Sequence, residues 1–82
     1  MKLTVEWSHV CTPDVRRMNW EAAARVCRAV LDFAEGRAVR VERARPGDPS
    51  LLRIRARGGD ALVHLDAEAR TVFVWRIYPT QR

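Results

Sequence analysis

The sequence has 82 residues, of which 48% are hydrophobic and 30% are charged. We expect one domain over residues 1–82, which at this size buries only roughly 60% of the surface that its unfolded chain exposes. No apolar stretch is long enough for a transmembrane helix or a signal peptide, which predicts a cytoplasmic protein without membrane association. The spacing of Cys11 and Cys27 argues against a zinc site and a disulfide framework, and we expect no metal and no cofactor.

The formal net charge of +5 is concentrated in one segment. Residues 1–36 carry equal numbers of basic and acidic side chains, whereas residues 37–57 contain seven arginines and two acids. This clustering predicts a binding surface for a polyanion, either nucleic acid or an acidic peptide. The alternative is that some of these charges only keep a small domain soluble.

The first half of the chain predicts a strand followed by two helices. Residues 2–10 alternate apolar and polar side chains, which is the period of a half-buried strand. Thr12-Pro13-Asp14 is typical of a helix start, and Asn19 can cap a second helix beginning at Trp20 and ending at Gly36. An apolar stripe on the second helix comprises Trp20, Ala23, Ala24, Cys27, Val30, Leu31 and Ala34.

The second half predicts three or four strands separated by turns. We expect strands over residues 37–45, 51–57, 61–65 and 71–78, with turns at residues 46–49, 58–60 and 66–70. The predicted fold class is therefore α+β with the order β-α-α-β-β-β. A two-helix hairpin packs on one face of a small antiparallel sheet and leaves the other face free.

Arginines occupy every second position of the strand over residues 51–57. If the intervening Leu52, Ile54 and Ala56 face the helices, these arginines point to the uncovered face. We expect Arg43 or Arg45 from the neighbouring strand, together with His64, Arg76 and, at the rim, Tyr78, to join them. The candidate nucleic-acid-binding residues are Arg43, Arg45, Arg53, Arg55 and Arg57.

The aromatic residues fall on apolar faces, which favours core packing for most of them. They are Trp7, Trp20, Phe33, Phe73 and Trp75. If Phe73, Trp75 and Ile77 face the core, Arg76 and Tyr78 lie on the open side together with Val72 and Val74. Tyr78 is then placed to stack on a base.

Three stretches, KLTVEWS, DVRRMNWEAAARVCRAVLDFAEG and LLRIRARGGDALVHLDAEARTVFVWRIY, resemble the RelE/ParE superfamily of bacterial toxins. The resemblance covers nearly the whole chain and implies a helical pair on a small antiparallel sheet. It implies either ribosome-dependent mRNA cleavage, as in the RelE branch, or poisoning of DNA gyrase, as in the ParE branch. It also implies a cognate antitoxin as partner.

The match to the family motif is incomplete. Arg53-Ile54-Arg55-Ala56 fits its arginine–apolar alternation, and Arg76 matches the arginine of the last strand. Asp60 falls where the family has an arginine in an ungapped alignment. The chain ends in IYPTQR, without the histidine–arginine pair and late tyrosine usual in the RelE branch, and Tyr78 is not equivalent to that tyrosine.

RNA cleavage through the 2′-hydroxyl needs a base, an acid and cations that stabilise the transition-state charge. Arginines can supply the cations but are poor bases, so His64 or Tyr78 must transfer the protons, although a lone histidine is more often a structural or surface residue. The candidate catalytic residues are Arg53, Arg55, His64, Arg76 and Tyr78.

Three functions stay open at this point. The leading one is a toxin that inhibits translation by cleaving mRNA on the ribosome. A gyrase-directed toxin needs no catalytic residues and is favoured by the incomplete motif. The third is a RelE-like binding module without toxicity.

Overall fold

Seven helices and strands follow one another in the computed structural model, which describes residues 2–80. The helices are α1 (Cys11–Arg17) and α2 (Trp20–Ala34), and the strands are β1 (Thr4–Trp7), β2 (Arg40–Arg43), β3 (Leu51–Ala56), β4 (Gly59–Asp66) and β5 (Thr71–Pro79). The prediction of an α+β fold with a helical hairpin on one face of a sheet is confirmed, with four strands after the helices. Neither helix in this part of the chain is long and apolar enough to cross a membrane.

The second helix begins where the sequence predicts. The Asn19 side chain accepts hydrogen bonds from the backbone nitrogens of Glu21 and Ala22, at 2.8 and 3.4 Å. The first helix begins at Cys11, slightly earlier than expected, and no side chain caps it. Gly36 has a φ of +80° just beyond α2, a conformation that glycine adopts without strain.

The buried stripe of α2 differs from the predicted one. It consists of Ala23, Val26, Val30 and Ala34, at helical spacing. Val26 is fully buried and was missing from the prediction, whereas Leu31 is exposed and Trp20, the first residue of the helix, is 76% exposed. Of the predicted core aromatics, Phe33 packs partly buried against the core, while Trp7 and Trp20 are exposed.

The sheet is mixed, with the strand order β1-β5-β4-β3-β2. β1 pairs in parallel with β5, and the other neighbours are antiparallel, so the expectation of a purely antiparallel sheet is wrong for β1. The helical hairpin after β1 supplies the long connection that a parallel pairing requires. Leu52, Ile54 and Ala56 belong to the core under the helices, as predicted.

A β-bulge in β5 breaks the alternation of that strand. Val74 lies opposite Val63 and Arg76 opposite Leu62, so Trp75 has no partner on β4. With this extra residue, Val74 and Ile77 both face the core, and Trp75 and Arg76 both lie on the other side. The prediction that Phe73, Trp75 and Ile77 form one buried set is therefore wrong for Phe73 and Trp75, and Val72 and Val74 are core residues.

Candidate functional site

We call the sheet face away from the helices the open face. Residues directly opposite each other on neighbouring strands point to the same side of a sheet, so the strand register defines rows of side chains. Three adjacent rows contain the candidate residues: Arg40, Arg55, Asp60 and Tyr78; then, in the middle row, Glu42, Arg53, Leu62 and Arg76; then Leu51, His64, Phe73 and Glu6.

All five candidate catalytic residues lie on the open face. Arg53 and Arg76 flank Leu62 in the middle row. His64 lies opposite Leu51 and Phe73, which resolves the side on which the sequence alternation places it. His64 and Tyr78 belong to the two outer rows and thus stand on opposite sides of the middle row.

Three predicted nucleic-acid-binding residues lie elsewhere. Arg43 is opposite the core residue Leu52 and therefore points to the other side of the sheet. Arg45 follows the end of β2, which is shorter than the predicted strand, and Arg57 lies in the turn between β3 and β4. Arg40, which is not among the predicted residues, takes the place expected for Arg43 opposite Arg55. The alternation of apolar and polar residues along β2 is the signal that indicates it.

Arg76 is bound by a buried acid from α1. Its Nε and Nη2 donate hydrogen bonds to the Asp14 carboxylate at 2.8 and 2.9 Å, and the Ile77 backbone nitrogen donates a third at 3.1 Å. The bonds from Arg76 hold the pKa of Asp14 below its ordinary value, although burial acts against this. The Arg76 guanidinium also lies 5.7 Å from the centre of the Tyr78 ring, within cation–π range. The sequence indicates Asp14 only as a helix-start residue and carries no local signal for its pairing with Arg76.

Asp60 partly compensates the positive charge of Arg53 and Arg55, the other two candidate catalytic arginines. β4 begins at Gly59, two residues before the predicted strand, so Asp60 is a strand residue on the open face and is not carried away by the turn. One carboxylate oxygen lies 3.1 Å from Arg55 Nε and the other 3.8 Å from Arg53 Nη1. The oxygen nearest Arg55 is buried and accepts no hydrogen bond, so this contact is an ion pair only. Arg55 also binds Glu42 at 3.1 Å, and each candidate catalytic arginine thus has an acidic partner.

An aromatic pair, a half-buried phenylalanine and an exposed tryptophan, also lies on β5. The rings of Phe73 and Trp75 meet edge to face, with centroids 4.9 Å apart and an angle of 77°. Trp75 is 48% exposed because the bulge turns it out of the core, and Tyr78 is 38% exposed. Trp75 and Tyr78 are therefore exposed rings on β5, of the kind on which nucleic-acid bases stack.

The cysteines lie outside this face. The Cys11 thiol donates a hydrogen bond to the Val74 carbonyl at 3.2 Å, and Cys27 is half-buried. Burial raises the pKa of both thiols, which keeps them protonated at neutral pH. Within residues 2–80 there is no group of three or more His, Cys, Asp or Glu side chains that could hold a metal ion.

The two helices packed on a five-stranded mixed sheet give this chain the fold of the RelE-like toxins. One similar structure is the RelBE2 toxin–antitoxin complex from Mycobacterium tuberculosis, with a TM-score of 0.72 and 21% identity over 98% of this chain and 100% of the matched chain. Another is a metal-bound toxin from Helicobacter pylori, with a TM-score of 0.71 and 13% identity over 94% of this chain and 93% of that one. No protein-family model and no curated protein sequence matches this chain.

Proposed function

We propose that this chain is the toxin of a bacterial toxin–antitoxin pair and inhibits translation by cleaving mRNA on the ribosome. The toxins among its structural neighbours support the first part, and the neighbour solved as a toxin–antitoxin complex supports a cognate antitoxin as partner. We expect the protein to act in the cytoplasm, where ribosomes and mRNA are found.

The observation that carries the cleavage mechanism is the order of the rows on the open face. A phosphate above Leu62 has Arg53 on one side and Arg76 on the other, both able to stabilise the negative charge of the transition state. His64 and Tyr78 flank this row from opposite directions. In-line attack by the 2′-hydroxyl needs its base and its acid on opposite sides of the phosphorus, and we assign these proton transfers to His64 and Tyr78.

The exposed Trp75 ring, packed against Phe73, fits a single-stranded substrate. Unpaired bases expose ring faces that stack on tryptophan or tyrosine, whereas the bases of a duplex are already stacked on one another. We assign Trp75, supported by Phe73, to bind a base next to the scissile phosphate.

A second candidate is a toxin directed at DNA gyrase. It is favoured by the acidic partners of the three candidate catalytic arginines, because compensated arginines stabilise a phosphate less than free ones. Such a toxin binds a protein and requires no proton transfer on the open face.

Induced expression in a bacterial host separates these functions. We expect growth arrest with early loss of labelled amino-acid incorporation, and we expect Arg53→Ala/Arg55→Ala to relieve it. The matched control is Arg16→Ala/Arg17→Ala, which removes the same charge from exposed positions on α1. Each variant is first checked for its fold by circular dichroism, because the removal of both arginines leaves Asp60 without its ion pairs.

Other results would contradict the proposal. If DNA synthesis fails first and the arginine changes have no effect, gyrase becomes the target. If folded wild-type protein causes no arrest, the domain is a non-catalytic binding module.

Purified ribosomes carrying a defined mRNA provide the direct test of cleavage. In this assay His64→Gln and Tyr78→Phe should each reduce the cleavage rate by about 10²-fold or more if these groups transfer protons.

A further inference from the structure

A small cleft lies at the corner of the sheet where β2 begins and β3 ends. It has a volume of about 390 Å³ and is lined by Arg40, Arg55, Ala56 and Arg57. We call it the corner cleft. Three of its four lining residues are arginines, and none is acidic.

Two of the three arginines at this cleft have no acidic partner in the part of the chain that the structure describes. Arg55 is bound by Glu42 and Asp60, but Arg40 and Arg57 have no ion-pair partner among residues 2–80. Arg40 stands directly opposite Arg55 on the neighbouring strand, where like charges destabilise a sheet. An anion bound between these side chains would remove that repulsion.

The backbone that carries Arg57 is fixed against α2. Gly58 has a φ of +97°, and a Cβ at this position would lie only 2.8 Å from the Ala22 Cβ. Arg25 Nη1 also donates a hydrogen bond to the Arg57 carbonyl at 3.5 Å. This side of the cleft is therefore positioned before any ligand binds, which lowers the entropic cost of binding.

We infer that the corner cleft binds a backbone phosphate of an RNA strand, one or more nucleotides away from the phosphate above Leu62. This inference rests on the proposed RNA-directed function. Arg55 belongs both to the cleft and to the open face, and Arg53 and Arg55 are about 7 Å apart along β3. One strand can therefore run from the middle row into the cleft, with Arg40 and Arg57 contacting its backbone independently of sequence.

The test is the salt dependence of RNA binding, measured without ribosomes by fluorescence anisotropy of a short labelled polyuridine. Each arginine–phosphate ion pair that a variant removes should make the slope of log K against log salt shallower by about 0.7 for a single strand. We expect this change for Arg40→Gln and for Arg57→Gln, and about twice the change for the double variant. Arg16→Gln removes the same charge on α1 and should leave the slope nearly unchanged.

Arg43→Gln separates a cleft from a general basic surface. Arg43 is on the same strand as Arg40 but points to the other side of the sheet. Equal effects of Arg43→Gln and Arg40→Gln would overturn the inference, as would wild-type protein that does not bind polyuridine at low salt. Binding of a labelled polyglutamate peptide in its place would assign the cleft to an acidic protein. Growth arrest is measured in a separate experiment. The protein can therefore prove to be a toxin even if the cleft variants do not change the salt dependence, and the cleft can bind RNA even if expression causes no arrest.

Discussion

Asp14, Asp60 and Glu42 compensate the arginines of the open face, and the first two differ in how they are held. The Asp14 carboxylate is buried and accepts three hydrogen bonds, so it is part of the structure that fixes Arg76 and joins α1 to β5. Asp60 lies between Arg53 and Arg55, and its Oδ1 accepts no hydrogen bond at all. We therefore expect Asp14 to affect stability and Asp60 to affect ligand binding.

The first prediction concerns stability in acid. The pKa of Asp14 is lowered in the folded protein, so its contribution is fully present above its ordinary value and is lost as the pH falls through the lowered value. Asp14→Asn should cost about 1–3 kcal/mol of the free energy of unfolding at neutral pH, because it removes hydrogen bonds to a charged group. Urea denaturation at a series of pH values measures this.

The control is Glu68→Gln, at an exposed position in the turn between β4 and β5. The difference in stability between wild type and Asp14→Asn should shrink as the pH drops into the acid range. A difference that stays constant over that range would show that the cost comes from packing and not from ionisation.

The second prediction concerns binding. Asp60→Asn removes the acid that opposes a phosphate while keeping the size of the side chain. We expect tighter binding of polyuridine and a steeper salt dependence. Without the Asp60 carboxylate, Arg53 and Arg55 can both pair with RNA phosphates. Glu68→Gln, an exposed residue in the turn between β4 and β5, makes the same change in net charge. If both variants bind equally tightly, the effect is one of net charge alone.

The turn between β3 and β4 shows how one element fixes another. Gly58 combines a positive φ with close contact to α2, whereas Gly47 has a similar φ of +84° with no atom within 4 Å of its added Cβ. Gly47→Ala should therefore cost only the backbone strain of a left-handed conformation, about 1–2 kcal/mol. Gly58→Ala should cost that strain and an overpacking cost of about 1–3 kcal/mol.

Denaturant midpoints of the two glycine variants test this third prediction. Ala22→Gly weakens α2 by about 1 kcal/mol on its own, but it should cost less in the Gly58→Ala background than in the wild type, because it removes the side chain that the new methyl meets. Equal costs for Gly47→Ala and Gly58→Ala, or the same cost of Ala22→Gly in both backgrounds, would show that the turn is not pressed against the helix.

The strands show where sequence periodicity succeeds and where it fails. Alternation along β3 and β4 placed Arg53 and Arg55 correctly and was compatible with His64 on the same side, because these strands pair without interruption. In β5 the same rule failed at Trp75, since a bulge adds a residue that only the register with β4 reveals. Pairings between distant segments, such as Asp14 with Arg76, have no local sequence signal at all.

At the scale of the whole molecule, the order of helices and strands could be predicted from the sequence, but the pairing of the strands within the sheet could not. The helical hairpin, its Asn19 cap and the turns follow from local residue preferences. The parallel pairing of β1 with β5 depends on how the whole chain closes, and no local pattern encodes it. Charge clustering over residues 37–57 shows where the arginines lie in the chain, but their division between the open face, the corner cleft and the opposite side of the sheet required the strand register.

The last prediction uses the three tryptophans as reporters of which side of the molecule binds RNA. All three are exposed: Trp75 on the open face, Trp20 at the start of α2, and Trp7 at the end of β1. In a variant that keeps only Trp75, polyuridine should quench the fluorescence, and in a variant that keeps only Trp20 it should not. Removing one stacked base with Trp75→Ala should raise the Kd by about five- to 150-fold. Quenching of Trp20 with Trp75 unaffected would place the RNA on the helical side and would contradict the assignment of the open face, whatever the growth phenotype.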